Sequence, residues 1–242
     1  MNANARPYIV LNNISSRSIQ GLLISELPPI SKPQQRTQVE NIDGRDGDII
    51  TPLGYAAYDK TVEISLTYDY DIDDIIDFFN SEGKVVFSNE PEKYYKYAIY
   101  NQIDFERLIR FKKAKVVFHV QPFKYSDTES TKTFTFASDD NKSLIIRNNG
   151  NIYSRPTLTI TGSDTVNIYI NGSQILSISL NIDQTIVINA ETMNATNKSG
   201  SRLLNRLVTG NYDNIKLNIG SNRITFTGAI SKILIDNYSR WI

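Results

Sequence analysis

Apolar and polar residues alternate with a period of two along most of the chain. "TVEISLTY" (61–68), "KVVFS" (84–88), "AKVVFHV" (114–120), "PTLTITG" (156–162), "TVNIYING" (165–172), "QTIVINA" (184–190) and "NRITFTG" (222–228) alternate or form short β-branched runs, bounded by Gly, Asn, Asp and Pro. Successive strand side chains point to opposite faces, so the pattern predicts half-buried strands in antiparallel sheets. One segment departs from it. In "DYDIDDIIDFFNSEGK" (69–84), Ile72, Ile75, Ile76 and Phe79 recur at helical spacing, which predicts a helix around 71–82. Asp71 or Asp73 supplies an N-cap, the acids of the first turn complement the helix dipole, and Gly83 stands where a C-cap glycine belongs. "SRLLNRLV" (201–208) fits either a second, weaker helix or a short turn.

Composition shifts after residue 126. Upstream, aromatics and charges are dense, as in "EPEKYYKYAIYNQIDFERLIRF" (90–111); downstream, Asn, Ser, Thr and Ile prevail in short strands at close intervals. The polar "SDTESTKT" (126–133) reads as a linker or hairpin, and a boundary near 130 separates two domains. The expected fold is mainly β. Residues 1–130 form an α+β domain with one helix and a projecting hairpin, and residues 131–242 form a β-sandwich.

Charge changes the picture mostly by exclusion. Lys and Arg number 26, balanced by 26 Asp and Glu, so the chain lacks the basic excess that phosphate neutralisation needs, and no nucleic-acid binding is expected. The only dense basic run, "RFKKAK" (110–115), reads as an exposed hairpin tip leading into a strand. With no cysteine, disulfides, thiolate metal sites and cysteine nucleophiles are excluded, which fits folding in a reducing cytoplasm. No apolar run approaches the roughly 20 residues that span a bilayer, and "MNANARPYIVLNN" lacks the layout of a secretory signal.

Catalytic kits are equally scarce. The single histidine, His119, would need an activated serine beside it, and no G-x-S-x-G elbow is present; it reads as an ordinary strand residue. Neither a phosphate-binding G-x-x-x-x-G-K-[ST] loop nor a strand–G-x-G-x-x-G–helix unit occurs. Asp73, Asp74 and Asp77 read as capping and dipole-complementing acids of a solvated helix rather than paired catalytic carboxylates. A glycosidase acting through some other carboxylate pair stays open, as does sugar binding by aromatics such as those of "YYKYAIY" (94–100). Trp241, the sole tryptophan, fits a packed strand end better than a sugar platform.

"VENIDGRDGDII" (39–50) gathers acids, one arginine and two glycines. Counted from Asp43, position 6 is Asp48 and position 12 is Gly54, which fails the calcium-loop pattern of glycine at 6 and glutamate at 12. As a hairpin around 36–55 it works better: Asp43-Gly44 and Asp46-Gly47 supply the positive-φ residues of tight turns. Its flanks are only partly apolar, and a hairpin with little core of its own needs another subunit to pack on.

The order of features carries a resemblance. "YIVLNNISSRSIQGLLISELPPI" is followed by "VENIDGRDGDI", then "VEISLTYDYDIDDIIDFFNSEGKVVFSNEPEKYYKYAIY", then "FKKAKVVFHVQPFKYS", then "IRNNGNIYSRPTLTITGSDTVNIYINGSQ", and near the end "GSNRITFTGAISKILIDNYSRWI". Over nearly its whole length the chain resembles the distal tail protein of long-tailed, non-contractile phages infecting Gram-positive bacteria. The resemblance implies a non-enzymatic structural hub at the distal end of the tail of the virion. Its N-terminal domain would close a homo-hexameric ring, and Asp43, Gly44, Arg45, Asp46 and Gly47 would belong to a belt reaching across the neighbouring subunit. Its C-terminal domain would be a galectin-like sandwich facing baseplate or receptor-binding proteins. The ring would sit between the tail-tube protein and the tail-tip protein, with no cofactor and no metal. Roughly 110 residues after the boundary hold one sandwich and no inserted carbohydrate-binding module. The alternative reading is a carbohydrate-binding β-sandwich adhesin, and a hydrolase with unrecognised carboxylates is a third.

Overall fold

The computed structural model describes residues 6–137 and 142–242. The chain divides into two compact units, Met1–Asp127 joined by Ile242, and Thr128–Trp241. Both are built mainly of strands, as the alternation requires.

The first unit runs β1 (Ile9–Leu11), β2 (Ile14–Ser15), β3 (Leu22–Glu26), β4 (Gln35–Asn41), β5 (Asp48–Tyr55), β6 (Tyr58–Leu66), α1 (Ile72–Phe79), β7 (Glu82–Phe87), β8 (Lys93–Ala98), α2 (Phe105–Phe111) and β9 (Lys113–Ser126). Its main sheet has the order β2-β1-β7-β8-β9-β6-β3, while β4 and β5, among the described residues, pair only with each other. The inward positions of β6 and β9, from Val62 and Ile64 to Val116, Phe118 and Val120, are fully buried. Around Phe118 the rings of Phe79, Phe87 and Tyr97 pack at centroid distances of 6.4, 5.8 and 5.3 Å, so aromatic burial dominates this core.

Two helices, not one, cover the sheet. The Asp71 side chain accepts from the N–H groups of Asp73 and Asp74 and so caps α1, and Ile75, Phe78 and Phe79 turn into the core. The helix ends at Phe79 with Asn80 as its cap, short of the expected 82. Gly83 lies instead in β7 with φ +136°. The Asn12 side chain explains it: its amide donates to Glu82 O at 2.9 Å and its Oδ1 accepts from Lys84 N at 3.0 Å, filling the space a Cβ of residue 83 would occupy. The unexpected helix, α2, starts at Asp104, whose side chain accepts from Arg107 N at 2.8 Å, and it buries Leu108. "RFKKAK" is therefore not a hairpin tip. It is the end of α2, a left-handed Lys112 at φ +57°, and the start of β9.

The second unit holds β10 (Lys132–Thr135), β11 (Ser143–Asn148), β12 (Thr157–Ile170), β13 (Ser173–Asn189), β14 (Asn194–Asn197), β15 (Val208–Gly210), β16 (Gly220–Asp236) and β17 (Arg240–Trp241). One seven-stranded antiparallel sheet has the order β10-β16-β12-β13-β14, with β11 beside β16 and β15 beside β13. "PTLTITG" and "TVNIYING", expected as separate strands, are two halves of β12. Register breaks between Gly162 and Asp164 bend it, and β16 breaks opposite, where Gly228 at φ +96° lies against the Thr165 carbonyl. Residues from both halves of the bent strands, among them Leu158, Ile160, Ile168, Ile178, Ile186 and Ile233, share one hydrophobic core, so the sheet folds over onto itself. "SRLLNRLV" forms the short 3-10 turn Asn205–Leu207 and leads directly into β15 at Val208.

Candidate functional site

Within the first unit, β4 and β5 stand apart from the core. All seven residues of β4 are exposed, and so are most of β5. Their register pairs Asn41 with Asp48, Glu40 with Ile49, Val39 with Ile50 and Gln38 with Thr51. The connecting loop contains all five singled-out residues, Asp43, Gly44, Arg45, Asp46 and Gly47, and every one is exposed. Gly44 and Gly47 adopt φ +80° and +77°, and the Arg45 N–H closes the turn on Ile42 O at 3.2 Å. The positive φ read from the Asp-Gly repeats thus accounts for both glycines.

The composition of this arm is unusual for a solvated surface. Val39 and Ile50, directly opposite on one face, are 52% and 62% exposed, and Leu53 and Ile42 are 53% and 49% exposed. An isolated two-stranded hairpin is marginal in water, and its outer edges offer unpaired backbone groups to another chain. At its base the arm is held firmly. Tyr55 meets Phe123 edge-on at 5.4 Å, Ala56 N donates to Gln34 O at 2.9 Å, and a bulge at Arg36/Thr37 twists the two strands.

A buried polar cluster fixes the segment that leads into the arm, and nothing in the hydrophobic periodicity announces it. Lys60 occupies an inward position of β6 opposite Phe118 and is 3% exposed. Its Nζ donates to Pro29 O at 2.8 Å and lies 5.0 Å from the centre of the Tyr95 ring. Beside it, Lys124 Nζ and Tyr95 Oη donate to the two carboxylate oxygens of Glu90, each at 2.8 Å. Asn89 Nδ2 adds a bond to Pro28 O at 2.9 Å. Burial pushes the Lys60 ammonium down to about 8; Glu90 opposes that shift and Lys124 reinforces it. Burial works to raise the Glu90 carboxyl, but the hydrogen bonds from Lys124 and Tyr95 outweigh it and hold the group below its ordinary value. Burial, with the Glu90 carboxylate next, drives the Tyr95 phenol far above its ordinary value.

The other candidate chemistry resolves into structural roles. His119 Nδ1 lies 2.8 Å from Asp59 Oδ1, beside the Tyr100 ring. Among the described residues, the groove of about 630 Å³ that His119 borders has no serine, threonine or cysteine in its wall, so the serine–histidine arrangement considered for His119 is not formed there. Asp73, Asp74 and Asp77 lie exposed on α1. Among the described residues, no group of three or more His, Cys, Asp or Glu is placed to hold a metal ion. Nor, among them, is any helix long and apolar enough to cross a membrane. Of the tyrosines in "YYKYAIY", Tyr95 and Tyr97 are core residues while Tyr100 is exposed. In the second unit, the large apolar side chains most exposed among the described residues are aliphatic (Ile145, Ile182, Met193, Leu203 and Ile219), while Tyr153, Tyr169 and Tyr212 are half-buried. Trp241 is half-buried on β17.

No protein-family model and no curated protein sequence matches the chain. Solved structures with the same fold include the Dit protein of phage SPP1, described as a paradigm of the hub adsorption apparatus in phages infecting Gram-positive bacteria. It aligns with a TM-score of 0.61 and 16% identity over 98% of this chain and 100% of that one. A chain of the phage P2 baseplate in its activated conformation with Ca aligns at TM-score 0.56 and 10% identity, covering 95% of this chain and 96% of that one. The same baseplate with Sr gives 0.55, 10%, 95% and 97%. The mainly β fold expected from the sequence is the fold found, and it is similar to that of a phage hub protein, in keeping with the resemblance.

Proposed function

We propose that the chain is a structural hub subunit of a phage tail, a distal tail protein whose copies close a six-fold ring. In this reading the ring joins the tail tube to the tail-tip protein, and each β4–β5 arm embraces the next subunit as a belt. The second unit serves as a galectin-like sandwich that meets baseplate or receptor-binding proteins. The protein then works by geometry, not by turnover.

The observation that carries the reading is the arm itself: Val39, Ile42, Ile50 and Leu53 are about half exposed on a two-stranded sheet with no core. Completing the burial of each adds about 1 kcal/mol, so one arm supplies a few kcal/mol per interface. Head-to-tail contacts of this kind close into a ring when the rotation between subunits permits it. The fold likeness to a phage hub protein over 98% of the chain supports the same conclusion.

Mass measurement in solution tests it. The native chain is expected to assemble as a hexamer, and deletion of 36–55 to yield a folded monomer. A native chain that stays monomeric at all concentrations, alone and with a tail-tube protein, refutes the ring.

A further inference from the structure

Resting on the ring reading, we infer that the arm of one copy docks into the groove beside the open edge of β3 on the next copy, its acidic tip meeting Arg6 and Arg17. The sheet order leaves β3 paired with β6 on one side and with no strand on the other among the described residues. Along that edge lies a groove of about 650 Å³ walled by Pro7, Leu22, Ile24 and Ser25 and by two cations, Arg6 and Arg17. Among the described residues, no acidic side chain lines it. An open strand edge is a template for pairing with another extended segment, and an apolar floor accepts alternate side chains of that segment.

The arm has the complementary chemistry. Across 39–50, the four carboxylates of Glu40, Asp43, Asp46 and Asp48 stand against the single cation Arg45. Val39, Ile42 and Ile50 supply the apolar contacts. Arg17 is already positioned: its Nη2 donates to Arg6 O at 2.7 Å and its guanidinium lies 4.2 Å from the centre of the Tyr8 ring. A planar guanidinium so held has further donors for a carboxylate, and little freedom is lost on pairing. The contact is heterologous, because arm and groove are different surfaces of the same chain, so each copy gives one and receives one.

The absence of cysteine makes the test clean. In the full chain, Asp46→Cys combined with Ser25→Cys is expected to give disulfide-linked oligomers on mild oxidation, and either substitution alone to give no ladder of them. Arg6→Glu/Arg17→Glu is expected to raise the concentration for half-assembly about tenfold or more, as is Asp43→Lys/Asp46→Lys. All four substitutions together return it to within about threefold of the native value. If deletion of 36–55 abolishes the ring while the arginine reversal leaves it intact and the Ser25 pair does not cross-link, the groove assignment falls and the ring stands. A native chain that does not assemble, together with an Asp46→Cys/Ser25→Cys chain that does not cross-link, overturns both.

Discussion

Lys60 gives the most direct check on the buried cluster that anchors the approach to the arm. The residue is 3% exposed, and its pKa falls from 10.5 to about 8 because burial disfavours the charge. In the unfolded chain the same lysine titrates near its ordinary value. Below pH 8 both states are protonated, and the penalty of burying the charge is constant. Between 8 and about 10.5 the unfolded chain binds more protons than the folded one, so stability rises with pH. At about 1.4 kcal/mol per tenfold change in proton affinity, the full gain is about 3 kcal/mol at most. Toward the upper end a second effect opposes it. Tyr58, Tyr95 and Tyr97 have phenols pushed up by burial, so above about pH 10 they ionise first in the unfolded chain and stability falls.

The expected profile is therefore a rise from pH 8 to a maximum near 9.5 to 10, then a decline. Lys60→Met removes the rise. It also loses the bond to Pro29 O, yet it trades a buried charge for an apolar chain of similar length, and Glu90 keeps Lys124 and Tyr95. At pH 7 the variant is expected to be no less stable than the native chain, and the native chain gains on it as the pH approaches 9.5. Urea denaturation read by pulsed hydrogen exchange on peptides from β6 and β8 reports the first unit separately from the second. A native profile that is flat or falling between pH 8 and 9.5, or a rise that persists in Lys60→Met, refutes the reasoning.

Three further changes test the cluster, the helix and the arm. Glu90→Gln leaves the Lys60 and Lys124 ammoniums buried without their counterion and is expected to cost about 3–5 kcal/mol at pH 7, measured by the same urea titration. Asp71→Ala strips the N–H groups of Asp73 and Asp74 of their cap, and a loss of about 1 kcal/mol with faster amide exchange in α1 alone is expected. Gly44→Ala with Gly47→Ala meets open space at both positions, so the cost is the left-handed backbone, about 1–2 kcal/mol per residue. That cost should appear as faster exchange in β4 and β5 with an unchanged urea midpoint for the rest of the unit, and equal protection of the arm in both proteins would contradict it.

What could be read from the residues, and what could not, follows from how each signal arises. Period-two alternation survives in β12 because Leu158, Ile160, Ile168 and Ile170 keep the inward phase across the bend. The "GSD" between its halves reads locally as a turn. Only the folded sheet shows that Gly162 is there to let the Ala229 carbonyl approach. The Gly83 misreading has the same root: a glycine needed by a distant partner, Asn12, looks identical to one ending a nearby helix. In α2, the Asp104 cap and Leu108 were present in the sequence, but seven residues between two aromatic strands give too little helical periodicity to register. Lys60 is the clearest case. A lysine at an inward position reads as an ordinary polar residue at the start of a strand, and its burial depends on Glu90, Lys124 and Pro29, which only the assembled sheet brings beside it. The arm escaped this difficulty because its signals are local: two Asp-Gly pairs with left-handed glycines, and apolar residues facing each other across adjacent strands. Short-range chemistry specifies the arm, and long-range chemistry specifies the platform that holds it. The same element, so fully encoded in its own residues, leaves Val39, Ile42, Ile50 and Leu53 about half exposed, because a two-stranded sheet has no second layer to cover them.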